Sequence, residues 1–257
     1  MTTVAHTTRI SRRDLHDCAV RILRVAGSTH GEAKRAALVV EHLEIHRGIG
    51  VDTLSAAVDD LASVLAITGS VEPEALGPGS WNVSAAGRSA VLLVPPLADL
   101  LRSRADEPPV GVRIDGLRDV EGLEALVLGV ARTGHTAIAA WATTDSQELA
   151  VGLAGAAGAG LLRGPCVGIE TLAARLGCDA AADGWPQGER SSDRALIAIV
   201  AMLTDVLDPD DVEPLRAVGA DMLEKREDEV ARSGLAVSAD AWQRVASAAR
   251  RWLVDDR

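Results

Sequence analysis

Tyrosine and phenylalanine are absent from this 257-residue sequence, and its aromatic complement is five Trp. A core must therefore be packed from Leu, Val, Ile and Ala, and no phenol is on hand as a general acid. Lysine is scarce as well: Lys34 and Lys225 are the two, and neither sits in a basic cluster suited to an anionic membrane surface. Cys18, Cys166 and Cys178 are odd in number and lack CxxC spacing, which argues against a disulfide framework or a zinc knuckle and favours a cytoplasmic setting. Arg9, Arg12, Arg13 and Asp14 break any apolar leader near the start, and the weakly polar run Leu149 to Leu162 is too short to span a bilayer. Neither G-x-G-x-x-G after a strand nor G-x-x-x-x-G-K-[ST] occurs. The expectation is a soluble chain with no membrane partner.

What is present is a 47% hydrophobic composition, enough for a substantial core, and a formal net charge of −11 spread along the chain. That balance argues against a nucleic-acid partner. The first 70 residues read as a helical segment. Ser11 and Asp14 form a capping-box pattern ahead of Leu15, Cys18, Ala19, Ile22 and Leu23, and Thr29 with Glu32 repeats it before a helix stopping at Gly48. Asp52 or Thr53 is placed to cap a third helix carrying Leu54, Ala57, Val58, Leu61 and Leu65.

Residues 71–165 change character, and Pro73, Gly77, Pro78 and Gly79 mark a loop. Ala90 to Val94 has strand character and is stopped by Pro95 and Pro96, with a helix from Leu97 to Arg104. A strand at Val110 to Ile114, a helix at Val120 to Arg132 and a strand at Thr136 to Ala142 follow. Alternating strands and helices imply an α/β layer. Gly152 to Gly160 is a Gly/Ala tract, either a flexible linker or a tightly packed crossing. Residues 166–257 read as a C-terminal helical segment, with helices at Ile169 to Leu176, Arg194 to Leu207, around Val212 to Arg232, and from Ala239 to Leu253 behind Ser238.

Several stretches, in order, resemble the malate/L-lactate dehydrogenase family of non-Rossmann type, which includes ureidoglycolate and sulfolactate dehydrogenases and cyclic imine reductases. His46-Arg47-Gly48-Ile49-Gly50-Val51-Asp52 matches a family segment of the type ARGIDSH, keeping Arg47, Gly48 and Ile49. Val112 to Glu121, with Gly122, matches a block of the type VRNSNHFGAAG. Ala173 to Gly177 with Gly184-Trp185, and Arg232-Ser233-Gly234-Leu235 with Trp242, resemble two later family patterns. The resemblance implies an α/β fold in which a helical layer from both chain ends lies around a central α/β layer. It also implies a homodimer with its site near the subunit boundary, and a chain shortened mainly on both sides of the Gly/Ala tract.

The departures from that pattern matter more for function. The family's proton-donating His is Asp52 here, its carboxylate-binding Arg is Ala56, and its second His is Leu117. The family's cofactor segment of the type KGYGLAL is matched by Asp193 to Ile197, which puts an acid where a cation would face phosphate. A carboxylate replaces an imidazole as acid or base only if burial raises its pKa. Asp before an apolar helix is also an ordinary N-cap.

The candidate catalytic residues are accordingly Asp52, His46 and Arg47, and the candidate substrate-binding residues are Arg113, Asp115, Arg118 and Glu121. Asp115 to Glu121 also reads as a solvated strand-to-helix turn with Asp119 capping. His42 and His46 share a helix face at metal-ligand spacing, but a partly buried or solvated pair is the commoner meaning of that spacing, and no metal is expected. His135 after Gly134 reads as a helix-end contact, and Cys166 as a buried thiol. The expected function is small-molecule processing by a non-redox catalyst, a cyclase, isomerase or lyase of specialised metabolism, with no cofactor. The alternatives are an NADH- or NADPH-dependent reductase of a 2-keto acid or cyclic imine, and a catalytically silent binding subunit.

Overall fold

The computed structural model describes residues 6–59, 72–104, 110–142, 147–154, 158–165, 196–203 and 216–251. The chain divides into two compact units, one of Met1–Gly69 with Asp221–Arg257 and one of Ser70–Ala220. The division falls at Asp221 because the strands of residues 196–203 and 216–218 belong to the sheet of the second unit. A helical segment starting at residue 166 is thereby corrected.

The first unit begins with strand β1 (Thr7–Ile10) and helices α1 (Arg12–Val25), α2 (His30–Arg47) and α3 (Gly50–Asp59). Both expected capping boxes are formed, Ser11 with Asp14 and Thr29 with Glu32, so each helix start has its first N–H groups satisfied by side chains. Leu15, Ala19, Ile22 and Leu23 form the buried stripe of α1. Gly48 closes α2 in the left-handed conformation at φ 67°, and two residues on Gly50 sits where a Cβ would lie 2.2 Å from the Val40 carbonyl oxygen. The sharp α2–α3 corner depends on both glycines.

From the other chain end come helix α6 (Ala220–Ser233), strand β10 (Leu235–Ser238) and helix α7 (Ala239–Arg251). Antiparallel pairing of β1 with β10, Thr7 opposite Ser238 and Ile10 opposite Leu235, ties the two chain ends together. Gly234, at φ 73°, lies where a Cβ would come 2.7 Å from the Ile10 carbonyl oxygen, which gives the glycine of the Arg232–Leu235 pattern a steric reason. The Ser238 hydroxyl accepts from the Ala241 N–H at 3.4 Å as expected of a cap. α7 packs against α1 and α3, burying Ala241, Val245, Ala248 and Ala249.

The second unit is built on an eight-stranded sheet ordered β2-β3-β4-β8-β5-β6-β7-β9. Its strands are β2 (Glu74–Gly77), β3 (Ser80–Ser84), β4 (Val110–Leu117), β5 (Thr136–Ala142), β6 (Gln147–Leu153), β7 (Gly160–Pro165), β8 (Leu196–Leu203) and β9 (Arg216–Val218). Pairing is antiparallel everywhere except between β3 and β4. Helix α4 (Ala90–Ser103) connects those two, and α5 (Leu123–Ala131) packs against α4, β5 and β6. Ala137 to Trp141 of β5 are all buried, as expected of a strand covered on both faces.

Two assignments are corrected. Ala90 to Ser103 is one helix with Pro95 and Pro96 inside it, not a strand followed by a helix. Leu93, Val94, Leu97 and Leu101 are buried on both sides of the prolines, and roughly 1.5–3 kcal/mol for each fully buried large side chain is of the size that offsets about 3 kcal/mol for each of the two helical prolines. Within the stretch Arg194 to Leu207, expected as a helix, Leu196–Leu203 is instead β8, hydrogen-bonded between β4 and β5. The Gly/Ala tract starts inside a strand, where a Cβ on Gly152 would lie 2.2 Å from the Val127 carbonyl oxygen of α5, so its first glycine serves close packing. The proposed helix Ile169 to Leu176, Gly177, Gly184-Trp185, Asp193, Cys166 and Cys178 lie outside the described residues.

Candidate functional site

The candidate residues fall on two segments, one in each unit. The first is the α2–α3 corner. Asp52 is not the N-cap of α3, because the helix already begins at Gly50 and Asp52 lies exposed in its first turn. Nor does Thr53 cap it, since its hydroxyl donates back to the Ile49 carbonyl at 2.8 Å. The cap comes from a residue that sequence reading passed over. Glu44, 6% exposed near the end of α2, accepts the Val51 N–H at 2.8 Å and that of Gly50. Burial pushes its carboxyl above the ordinary range, the two N–H donors pull it back, and the nearby Asp52 charge adds to the rise. The corner thus holds two acids, one buried and capping, the other facing solvent.

His46 does not face the same way as Asp52 in chemical terms. Its side chain is 5% exposed, with Nε2 3.5 Å from Glu227 of α6, while its carbonyl accepts from Arg226 at 2.8 Å. The His42 and His46 rings are 4.6 Å apart and tilted by 48°, a ring contact within the buried face of α2. Arg47, one residue on, is exposed. One helix turn beyond Asp52, Ala56 is exposed and Ser55 is buried, its hydroxyl accepting from Arg244 of α7 at 2.9 Å.

The second segment lies at the carboxyl ends of the parallel pair β3 and β4. Arg113 donates through Nε to both oxygens of Asp115, at 2.9 and 3.1 Å, across one face of β4. Beyond the strands the two chains stay side by side: Ala85 N–H donates to the Asp115 carbonyl at 2.7 Å, Gly87 N–H to that of Gly116 at 2.8 Å, and Arg118 N–H to that of Arg88 at 3.1 Å. This track holds Ala86 at φ 48°, a left-handed conformation that a residue with a Cβ adopts at a cost.

The track ends at Asp119. Its Oδ1 accepts from the Ser89 hydroxyl at 2.9 Å and from the Ala90 N–H at 3.1 Å, so Asp119 does cap a helix, but α4 rather than α5. Gly122, the N-cap residue of α5, makes no side-chain cap. Burial raises the Asp119 carboxyl, the Ser89 hydroxyl opposes that, Glu121 adds to it, and Arg118 lies 3.5 Å away. Leu117, at the position of the family's second His, is 1% exposed. His135 is half-buried at the start of β5. The structure therefore groups Arg113 with Asp115 and Arg118 with Asp119, while Glu121 is half-buried beside them.

A helix N-terminus at the carboxyl end of parallel strands is where an anionic ligand is generally received. Here the seat is taken by a carboxylate of the chain itself. Sequence reading named Asp119 as a cap but not its helix, because the partner hydroxyl is thirty residues away. It missed Glu44, whose signal is an acid four residues before a left-handed Gly and six before the next helix.

No family model matches the chain, and no curated protein does. Solved structures do. Malate dehydrogenase from Pyrococcus horikoshii OT3 superposes with a TM-score of 0.68 at 10% identity, over 99% of this chain and 99% of that one. The chain has the malate/L-lactate dehydrogenase-like fold. Sulfolactate dehydrogenase from Methanocaldococcus jannaschii gives 0.66 at 9% identity over 95% and 97% of the two chains. Delta1-piperideine-2-carboxylate reductase from Pseudomonas syringae gives 0.59 at 15% identity over 94% and 99%. On this fold the α2–α3 corner and the β4–α5 turn are the segments that the sequence resemblance singles out. No helix among the described residues is long and apolar enough to cross a membrane.

Proposed function

We propose that the chain is a non-redox catalyst acting on a small molecule, of the cyclase, isomerase or lyase kind, on a scaffold shared with dehydrogenases and reductases. Asp52, exposed in the first turn of α3 at the position where the family pattern has its His, is its proton-transferring group, a role that requires the bound substrate to cover it and so desolvate the carboxylate. The observation that carries the reading is the β4–α5 turn. Leu117 there is a core residue, and the adjoining helix N-terminus is already filled by Asp119.

Phosphates of a nicotinamide dinucleotide would have to displace the Asp119 carboxylate from the start of α4, with the Glu121 charge nearby, so these residues do not fit that cofactor. Arg113 and Arg118, which pair with Asp115 and Asp119, are the cations proposed to meet the substrate. Arg47 is exposed beside Asp52 in sequence, and His46 supports the corner from within. Two copies forming a homodimer, working in the cytoplasm, complete the proposal.

The second reading is an NADH- or NADPH-dependent reductase, favoured by the piperideine-2-carboxylate reductase whose fold the chain shares. Fluorescence titration of the purified protein with NADH and NADPH separates the two. The proposal expects no saturable change with either, and tight saturable binding overturns it. For any turnover then found, Asp52→Ala is expected to lower kcat by about 10²–10⁴, and unchanged turnover removes Asp52 from its role.

A further inference from the structure

Outside both segments, α1 and α2 share a cluster of three charged or titratable side chains. Glu41 of α2 is 3% exposed, and both its carboxylate oxygens are used: Oε2 accepts from the Arg12 Nε, and Oε1 lies 2.5 Å from His16 Nδ1. Arg12 and His16 are four residues apart on α1, hence on one helix face. The carboxylate is buried while the groups it holds are not: the side chains of Arg12 and His16 are 51% and 27% exposed.

A carboxylate fixed on one ring nitrogen of a histidine decides which tautomer the neutral ring adopts. With Glu41 on Nδ1, the proton resides there and the lone pair is on Nε2, the nitrogen that Glu41 does not hold. The same contact holds the ring against rotation and stabilises positive charge as Nε2 takes up a proton or bonds to an electrophile. Arg12 engages Glu41 through Nε, so its two terminal nitrogens are left for other partners beside the ring.

We infer that Arg12, His16 and Glu41 form a second reactive centre in which His16 Nε2 is an oriented base and nucleophile toward small ligands carrying an electrophilic acyl carbon. Attack by Nε2 on such a carbon forms an N–C bond, the carbon–oxygen bond to the leaving group breaks with its electron pair, and the proton released from Nδ1 beside Glu41 is carried by water to that group, leaving a neutral N-acylimidazole.

Diethyl pyrocarbonate is the probe, with mass spectrometry following each histidine of the full chain. The exposed His30 is the internal reference, and rates are taken at pH values where both rings are neutral. His16 is expected to be modified several times faster than His30, with the advantage lost in E41Q and kept in R13Q, a neighbouring exposed arginine. A His16 rate no greater than that of His30 overturns the inference. In case E41Q does not fold, ¹⁵N shifts of the wild-type ring decide separately: a neutral His16 carrying its proton on Nδ1 supports the assignment, and one carrying it on Nε2 refutes it.

Discussion

Asp119 is the residue where local chemistry makes the firmest demand. A half-buried carboxylate with its pKa raised by desolvation binds more protons in the folded chain than in the unfolded one, over the interval from about pH 4 upward. Its contribution to stability is therefore largest below that interval and declines as pH rises through it, levelling off once the folded carboxyl is also ionised. Asn at this position still offers an Oδ1 to the Ser89 hydroxyl and the Ala90 N–H, but does not titrate. D119N is expected to fold and to lack this part of the slope, whereas D119A leaves two buried donors unmet and costs about 1–3 kcal/mol. Urea midpoints measured from pH 4 to 8 test this through the difference between wild type and D119N; a difference that is flat, or of opposite sign, contradicts the role given to Asp119. Glu44 is shifted in the same direction by the same cause, so D119N removes part of the decline and D119N with E44Q removes more.

At the scale of elements, the α2–α3 corner separates two reasons for glycine. Gly48 needs its positive φ but has open space around the missing Cβ, while Gly50 has no room for one. Gly48→Ala is expected to cost about 1 kcal/mol. Gly50→Ala forces backbone against backbone and is expected to cost about 1–3 kcal/mol or more, with the larger loss also displacing the Val51 N–H from Glu44. Thermal melts in which the two variants lose equal stability contradict the distinction. The sequence made Gly48 legible because a left-handed helix end has a one-residue signature, but nothing local announces that the Val40 carbonyl approaches Gly50. The same contrast runs through the fold. The caps of α1 and α2 depend on residues three apart and were readable, as was β5, whose bounds were expected at Thr136 and Ala142. The run of Leu196 to Leu203 looks alike as a buried helix or a buried strand, since both need apolar residues on every side. The hydrogen bonds that decide it come from Val110 to Leu117 and Thr136 to Ala142, far away in sequence. α4 was misread for a related reason: two prolines are a strong local stop, and only the burial around them shows that they were overridden.

For the whole molecule, the order of its elements carried more information than any single motif, and the fold was legible even though Asp52, Ala56 and Leu117 stand where the family pattern differs. What those substitutions mean for assembly follows from charge and apolar surface together. A chain with net charge −11 repels its own copies, so pairing requires apolar area to be buried, roughly 800 Å² on each partner for a stable interface. Leu38 of α2 and Met222 of α6 are 52% and 46% exposed in the first unit, large apolar side chains that a second copy would cover. We predict a two-fold symmetric homodimer at micromolar concentration, with a scattering mass twice the 26.7 kDa of the chain. Because the opposing term is electrostatic, with a screening length of about 8 Å at physiological ionic strength and about 30 Å at 0.01 M, lowering the salt should shift the equilibrium toward monomer. A mass near 26.7 kDa at physiological salt rejects the dimer. A dimer that holds unchanged at 0.01 M salt would mean that charge repulsion has no part in setting its strength.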